Sequence, residues 1–432
     1  MRIAMSRKRI QFAVAAAVSG AVILAGCGGP TETSADKATS NLEVMSWWTS
    51  ASEAPAFKVF TDAYVAANSG VSISNAAVAG GAGSQARVDL AKRLLAGNPP
   101  DVWQTFDGAA TAAYVRSKQV RDASSAFGNG VKEAMNPAIL DAVTVDGKQY
   151  AMPTGAHRSN VLFFNAAALD EAGVAAPTGD YTPAEFVADL EKVKVSGGTA
   201  LCLGGRDAFT TVELFENVLL AQVGADGWQK LTDDKFDWGS KAVTDALGTL
   251  DTLLAYADAD ADEQSWDQAV AKLASGGCAF LTMNDSAYGE LVKDGATESS
   301  VGEVAFPGTS DGYLAVVDVF VAATSAPNAK NALGFLATLA DPAANLEFNK
   351  IKGSVPVLKN VDVASLSPYQ QSASEALWKG PVLRSITHGE AMDPAFTQGF
   401  FDGVSAFVRT RDTSVFAKKL SEAVNSYRPA GH

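Results

Sequence analysis

Short apolar runs alternate with amphipathic helical patterns along nearly the whole chain, and this rhythm marks an α/β architecture. Residues 42–48 read as a first strand. Ser52 then caps a helix in which Phe57, Phe60 and Tyr64 recur at helical spacing, stopping near Gly70. Residues 71–78 form a second strand. A tight turn, Gly80-Gly81-Ala82-Gly83, leads into a helix with Val88, Ala91, Leu94 and Leu95, which Gly97-Asn98-Pro99-Pro100 ends before a third strand over 101–106. Thr182-Pro183-Ala184-Glu185 is a helix start with a capping threonine, a proline in the first turn and a glutamate at the third position. Phe186, Leu190 and Val193 make its buried stripe, and Ser414 is expected to cap a last helix carrying Phe416, Leu420 and Val424.

The first residues are of another kind. Arg2, Arg7, Lys8 and Arg9 form a basic stub, and residues 10–25 are apolar except for Gln11 and Ser19, a run too short for a stable membrane span. Leu24-Ala25-Gly26-Cys27 resembles the lipobox of bacterial lipoproteins, in which the cysteine is acylated and becomes the new N-terminus. Residues 1–26 are therefore expected to be a signal peptide and 27–41 a flexible polar tether. The chain is expected to work outside the cytoplasm, held to the cell membrane by lipid.

Most of the 432 residues lie beyond that leader, more than a single core usually accommodates. No long linker divides them. Two lobes joined by several short crossings, with a hinge and a cleft, fit this better than two separate beads. A formal net charge of −14 makes nucleic acid and anionic lipid surfaces poor partners. Cys202 and Cys278 each sit in an apolar strand-like run, and in an exported chain they either pair or stay buried as thiols; the sequence leaves both open.

Enzyme signatures are missing. The glycine turn lacks the Gly-Lys-Ser/Thr of a phosphate loop. The three histidines, 157, 388 and 432, have no metal-ligand spacing, and no nucleophile elbow occurs. Neither a cofactor nor a metal is expected, and catalysis has no positive support.

Four stretches together resemble the sugar-binding solute-binding proteins of ABC transporters, closest to their glucose-binding members. They are Trp47-Trp48-Thr49-Ser50 with Glu53; Val78 to Gly83 with Asp101 and Gln104; Tyr150-Ala151-Met152-Pro153 with His157-Arg158-Ser159-Asn160; and Phe306-Pro307-Gly308 with Lys352-Gly353-Ser354 and His388. The resemblance implies a two-lobe periplasmic-binding-protein-like α/β fold with a ligand cleft between lobes joined by hinge crossings. It places one lobe at 42–154 and 313–350 and the other at 155–312 and 351–432. It implies a sugar ligand, two permease subunits and a cytoplasmic ATPase as partners.

A sugar shows hydroxyls at its rim and C–H patches on its faces, so its site needs aromatic rings and planar polar side chains. The ligand-binding residues implied are Trp47, Trp48, Glu53, Gln104, Phe106, His157, Phe209, Asp285, Lys352 and His388. Arg158 and Asn160 are expected either in the site or at the hinge, and Trp228, Trp238, Trp266 and Trp378 in packing. Two departures bear on specificity. Phe106 stands where the glucose-binding relatives carry a lysine, and Ser286 where they often have tryptophan. Other sugars, short oligosaccharides or a polyol are therefore open as ligands, and an extracellular carbohydrate-active enzyme or a sugar sensor is the rival of another class.

Overall fold

The structure, a computed structural model, describes residues 41–231 and 236–427. The leader, Cys27 and most of the tether lie outside the described residues. No helix among those described is long and apolar enough to cross a membrane.

Among the described residues ten strands make two sheets, and a separate small hairpin pairs Thr144–Val145 with Lys148–Gln149. In the first sheet β1 (Asn41–Met45) lies between β2 (Ser72–Asn75) and β3 (Val102–Phe106), all parallel. The second sheet holds β5 (Val161–Asn165), β6 (Leu201–Cys202), β7 (Phe280–Thr282) and β8 (Val301–Ala305), in the order β8-β5-β7-β6. The chain reaches it from β4 (Ala151–Arg158) and returns to the first sheet through β9 (Tyr313–Ala322). β9 runs antiparallel to both β3 and β4 and parallel to β10 (Val382–Arg384). β10 thus pairs in the first sheet, although it falls in the 351–432 segment that the resemblance places in the other lobe.

Two sheets separated by short crossings give the two-lobe α/β fold expected. Asn160 holds two crossings together. It follows β4, its Nδ2 donates to Thr309 O, Thr309 Oγ1 and Gly312 O, each at 3.0 Å, and its Oδ1 accepts the N–H of Leu314 at the start of β9. One fully buried amide thereby links the two crossings, its two N–H hydrogens shared among three neighbouring oxygens.

The helices that position the site are α1 (Glu53–Ala67), α2 (Ser84–Leu95), α3 (Pro183–Val195), α4 (Ala208–Leu231), α5 (Trp266–Ala274), α6 (Ser286–Lys293) and α7 (Pro342–Lys352). α8 (Pro394–Thr410) and α9 (Thr413–Tyr427) pack together late in the chain. α1 buries Phe57, Phe60 and Tyr64, where Phe57 stacks on Phe320 of β9 and Phe60 on Phe348 of α7. On α2 the buried residues are Ala86 and Leu90, while Val88 and Leu95 face solvent.

Two caps differ from expectation. Ser52 makes no side-chain cap for α1; its N–H and Oγ–H both donate to Glu290 Oε1 on α6, at 3.0 and 2.6 Å. Ser414 lies inside α9, and Asp412 Oδ1 accepts its N–H at 2.8 Å. The Thr182–Glu185 capping box of α3 forms in full. Cys202 and Cys278 are joined in a buried disulfide with Cα atoms 5.9 Å apart, which closes the alternative the sequence left open.

Candidate ligand cleft

A cleft of about 260 Å³ opens where the parallel strands of the first sheet end, the usual position of a ligand crevice in an open α/β sheet. β1 delivers Trp47 and Trp48, β3 ends at Phe106, and α1 begins at Glu53; all four line the cleft. The two tryptophans divide the work. Trp48 is packed against Phe57, Phe320 and Phe348 with ring centroids 5.2–5.7 Å away, so it is largely a core residue that reaches the cleft with one edge. Trp47 lies 5.2 Å from the Phe106 ring and directly over Gly83, where an added Cβ would stand 2.5 Å from the indole. The glycine turn is therefore a seat for this indole as well as a bend. Phe106 meets His388 edge-on at 5.1 Å, completing an aromatic wall.

The opposite wall comes from segments that follow β6 of the second sheet. Phe209 begins α4 and Trp266 begins α5, and both line the cleft together with Arg206, Asp207 and Asp267. Trp266 was expected in packing. It packs partly against the core and also lines the cleft; Asp207 Oδ2 accepts its backbone N–H at 2.9 Å and Gly204 lies against its backbone, which fixes the start of α5. A Cβ on Gly81 would come within 2.6 Å of Phe209, so the glycine turn and α4 meet across the cleft.

The polar groups are held in pairs. Lys352 Nζ, almost fully buried, lies 3.1 Å from Glu53 Oε1 and donates to Ser286 Oγ at 3.1 Å. His157 Nδ1 lies 2.5 Å from Asp285 Oδ1, while Tyr369 donates to Asp285 Oδ2 at 2.9 Å. Asp285 has no exposed surface and does not line the cleft; it orients His157 from behind. Gln104 is also behind the wall. Its Oε1 accepts the Trp47 N–H at 3.1 Å and its Nε2 donates to Asp318 Oδ1 at 2.7 Å. Asp318, which the sequence analysis missed, also lines the cleft, with Oδ2 3.8 Å from His157 Nε2. A lone charge in the ten-residue apolar run of β9 was the available signal.

Behind His388 lies a group of buried acids. Burial pushes Glu213 up to about 8, Glu216 up to about 7 and Asp107 up to about 7; burial first, and then the neighbouring Asp107, raise Glu390 well above its usual range. Burial also pushes His388 down to about 3, so its imidazole is neutral. Among the described residues no group of acids, histidines and cysteines has the arrangement of a metal site.

A bacterial extracellular solute-binding protein model matches residues 49–346, most of the described chain. The chain belongs to that family. Among similar proteins, an uncharacterized ABC transporter extracellular-binding protein of Pyrococcus horikoshii is 27% identical over 428 residues, covering 97% of each chain. A probable sugar-binding periplasmic protein of Brucella suis is 29% identical over 386 residues, 84% of this chain and 87% of its own. Among solved structures, the bacterial solute receptor AcbH, whose reported preference is β-D-galactopyranose, superposes with a TM-score of 0.78 at 16% identity, covering 89% of this chain and 98% of that one.

Proposed function

We propose that this solute-binding protein is the sugar-binding component of an ABC importer, anchored by lipid at Cys27, that encloses a monosaccharide in the interlobe cleft and hands it to a permease with a cytoplasmic ATPase. The observation that carries this reading is the make-up of the cleft. Trp47, Phe106 and Trp266 offer faces for C–H patches, while Glu53, Asp318, Lys352 and His388 offer acceptors and a donor for hydroxyls. The family resemblance and the sugar-binding relatives support the same class of ligand. The volume of about 260 Å³ falls below the ~300–1,000 Å³ of drug-sized sites, which favours one sugar ring over a chain. Lobes at 42–154 with 313–350 and at 155–312 with 351–432 are part of the proposal, the β10 segment crossing back to the first sheet.

Phe106 gives an apolar wall in place of a lysine, so a sugar other than glucose should be preferred. The experiment is a thermal-shift screen of the purified protein against mono- and oligosaccharides, followed by calorimetry. A ligand that binds only the folded state raises the melting temperature, by about 2.7 kcal/mol of stabilisation at a hundredfold excess over Kd. Stabilisation by a monosaccharide and not by polyols or long oligosaccharides is expected. No response to any saccharide overturns the proposal, and glucose ranking first overturns the inference from Phe106.

A further inference from the structure

We infer that Glu216 sets the tautomer of His388 through the Ser385 hydroxyl, placing the ring proton on Nδ1 and leaving Nε2 as a hydrogen-bond acceptor at the cleft. The consequence for binding rests on the reading of the cleft as a sugar site; the relay itself does not. Glu216 sits on α4 with no exposed surface. Its Oε1 accepts the backbone N–H groups of Ile386 and Thr387, at 2.5 and 3.2 Å, which are donors that cannot reverse. Its Oε2 lies 2.9 Å from Ser385 Oγ. Ser385 Oγ is 3.0 Å from His388 Nδ1 and also accepts the His388 backbone N–H at 3.1 Å.

A serine hydroxyl has one proton. An ionised Glu216 can only accept, so that proton points to Oε2. The oxygen lone pairs then face the His388 backbone N–H and Nδ1, which requires Nδ1 to carry hydrogen. Because the imidazole is neutral it has a single N–H, and Nε2 is bare. Among the described residues Nε2 has no hydrogen-bond partner; the nearest acid oxygen, Glu213 Oε2, is 3.8 Å away. The loop cannot easily compensate by moving. Ser385 O accepts the N–H groups of Glu390 and Ala391, and Glu390 Oε1 accepts the Val317 N–H of β9. With the backbone pinned at both ends, the tautomer is the variable that remains. Glu216 is thus a positioning residue that acts on the cleft through two others.

The chain has three histidines, so ¹⁵N-histidine labelling yields three imidazoles, and a His388→Gln spectrum assigns the one of interest. The spectrum of the sugar-free protein is recorded at pH 9, above the values to which burial pushes Glu213 and Glu216. A pyrrole-type Nδ1 and a pyridine-type Nε2 are expected in the wild type. In Glu216→Gln the amide oxygen stays on the two backbone donors and its NH₂ donates to Ser385 Oγ. That turns the serine proton onto Nδ1 and moves the ring proton to Nε2. Ser385→Ala should give a mixture. A wild-type ring protonated at Nε2, a Glu216→Gln ring unchanged from wild type, or a Ser385→Ala ring still held wholly as Nδ1–H each overturns the relay; the first needs no variant to fold. Affinity for the best sugar of the screen is then compared between wild type and Glu216→Gln, with about a tenfold loss expected where one hydrogen bond is mismatched. A moved proton with unchanged affinity supports the relay and removes His388 from the sugar contact.

Discussion

Asp285 and Asp318 are both buried near His157, yet only one of them borders the cleft. Position along the chain did not separate them: Asp285 stands at a strand end, a typical site location, whereas Asp318 interrupts an apolar strand. What separates them is which face of β9 meets the cleft, a fact of strand pairing that no local pattern carries. The same holds for Gln104, which supports Trp47 and Asp318 from behind the wall. Trp47 and Glu53 were legible because a strand end and a helix start gather at a crevice, whereas Phe106, Lys352 and His388 were named only through the family resemblance. Two substitutions follow. Trp47→Ala removes the indole seated on Gly83, and Asp318→Asn removes the carboxylate charge beside His157 while its oxygen can still accept from Gln104. Each is expected to weaken sugar binding by on the order of 1–3 kcal/mol without lowering the melting temperature of the sugar-free protein by more than a few degrees. Asp285→Asn, which acts through His157, should cost less than Asp318→Asn. Calorimetry with the order reversed would contradict the placement of the two acids.

At the scale of elements, the capping box of α3 was legible because all its partners lie within four residues. Ser52 was misread because its partner, Glu290, is 238 positions away on α6. That contact joins the start of α1 to a helix beside Lys352, and it is expected to stabilise the arrangement in which the glycine turn meets Phe209. Glu290→Ala strands the Ser52 N–H and hydroxyl, costing about 1–3 kcal/mol, and should raise the sugar dissociation rate in stopped-flow fluorescence. An unchanged dissociation rate argues against a role for this contact in holding the cleft. The disulfide is the other long-range tie, closing a separation of 76 residues between β6 and the approach to β7. A loop of that size corresponds to about 4.5 kcal/mol by the chain-entropy estimate. The double substitution Cys202→Ser/Cys278→Ser should lower the unfolding free energy in urea by an amount of that order. Equal midpoints for variant and wild type would show that the bridge adds no stability.

For the whole molecule, the alternation of strands and helices foretold the α/β class and the length without a long linker foretold two lobes, but nothing local foretold the acids that assemble beside His388. Glu213 and Glu216 face inward on α4, and Asp107 and Glu390 come from distant segments. Their proximity exists only once both sheets and the crossings are assembled. Their common feature is burial, and its sign fixes how stability varies with pH. Asp107 and Glu216 are pushed up to about 7 and Glu213 to about 8, from ordinary values of 3.8, 4.5 and 4.5. Through that window the folded protein binds more protons than the unfolded chain, so unfolding free energy falls as pH rises. His388 works the other way. Pushed down to about 3 from 6.5, it stays neutral where the unfolded chain's histidine is charged, and it costs stability only as pH drops below 6.5. Between pH 6.5 and 8 the acids act without that opposition. The melting temperature should therefore decline from pH 6.5 to 8, and Glu213→Gln, which removes the acid with the highest stated value and keeps an acceptor for Asn284, should flatten the decline. Differential scanning calorimetry across this range decides it: a melting temperature that is level or rising from pH 6.5 to 8 in the wild type would mean that the buried carboxyls are already ionised and compensated in the folded state.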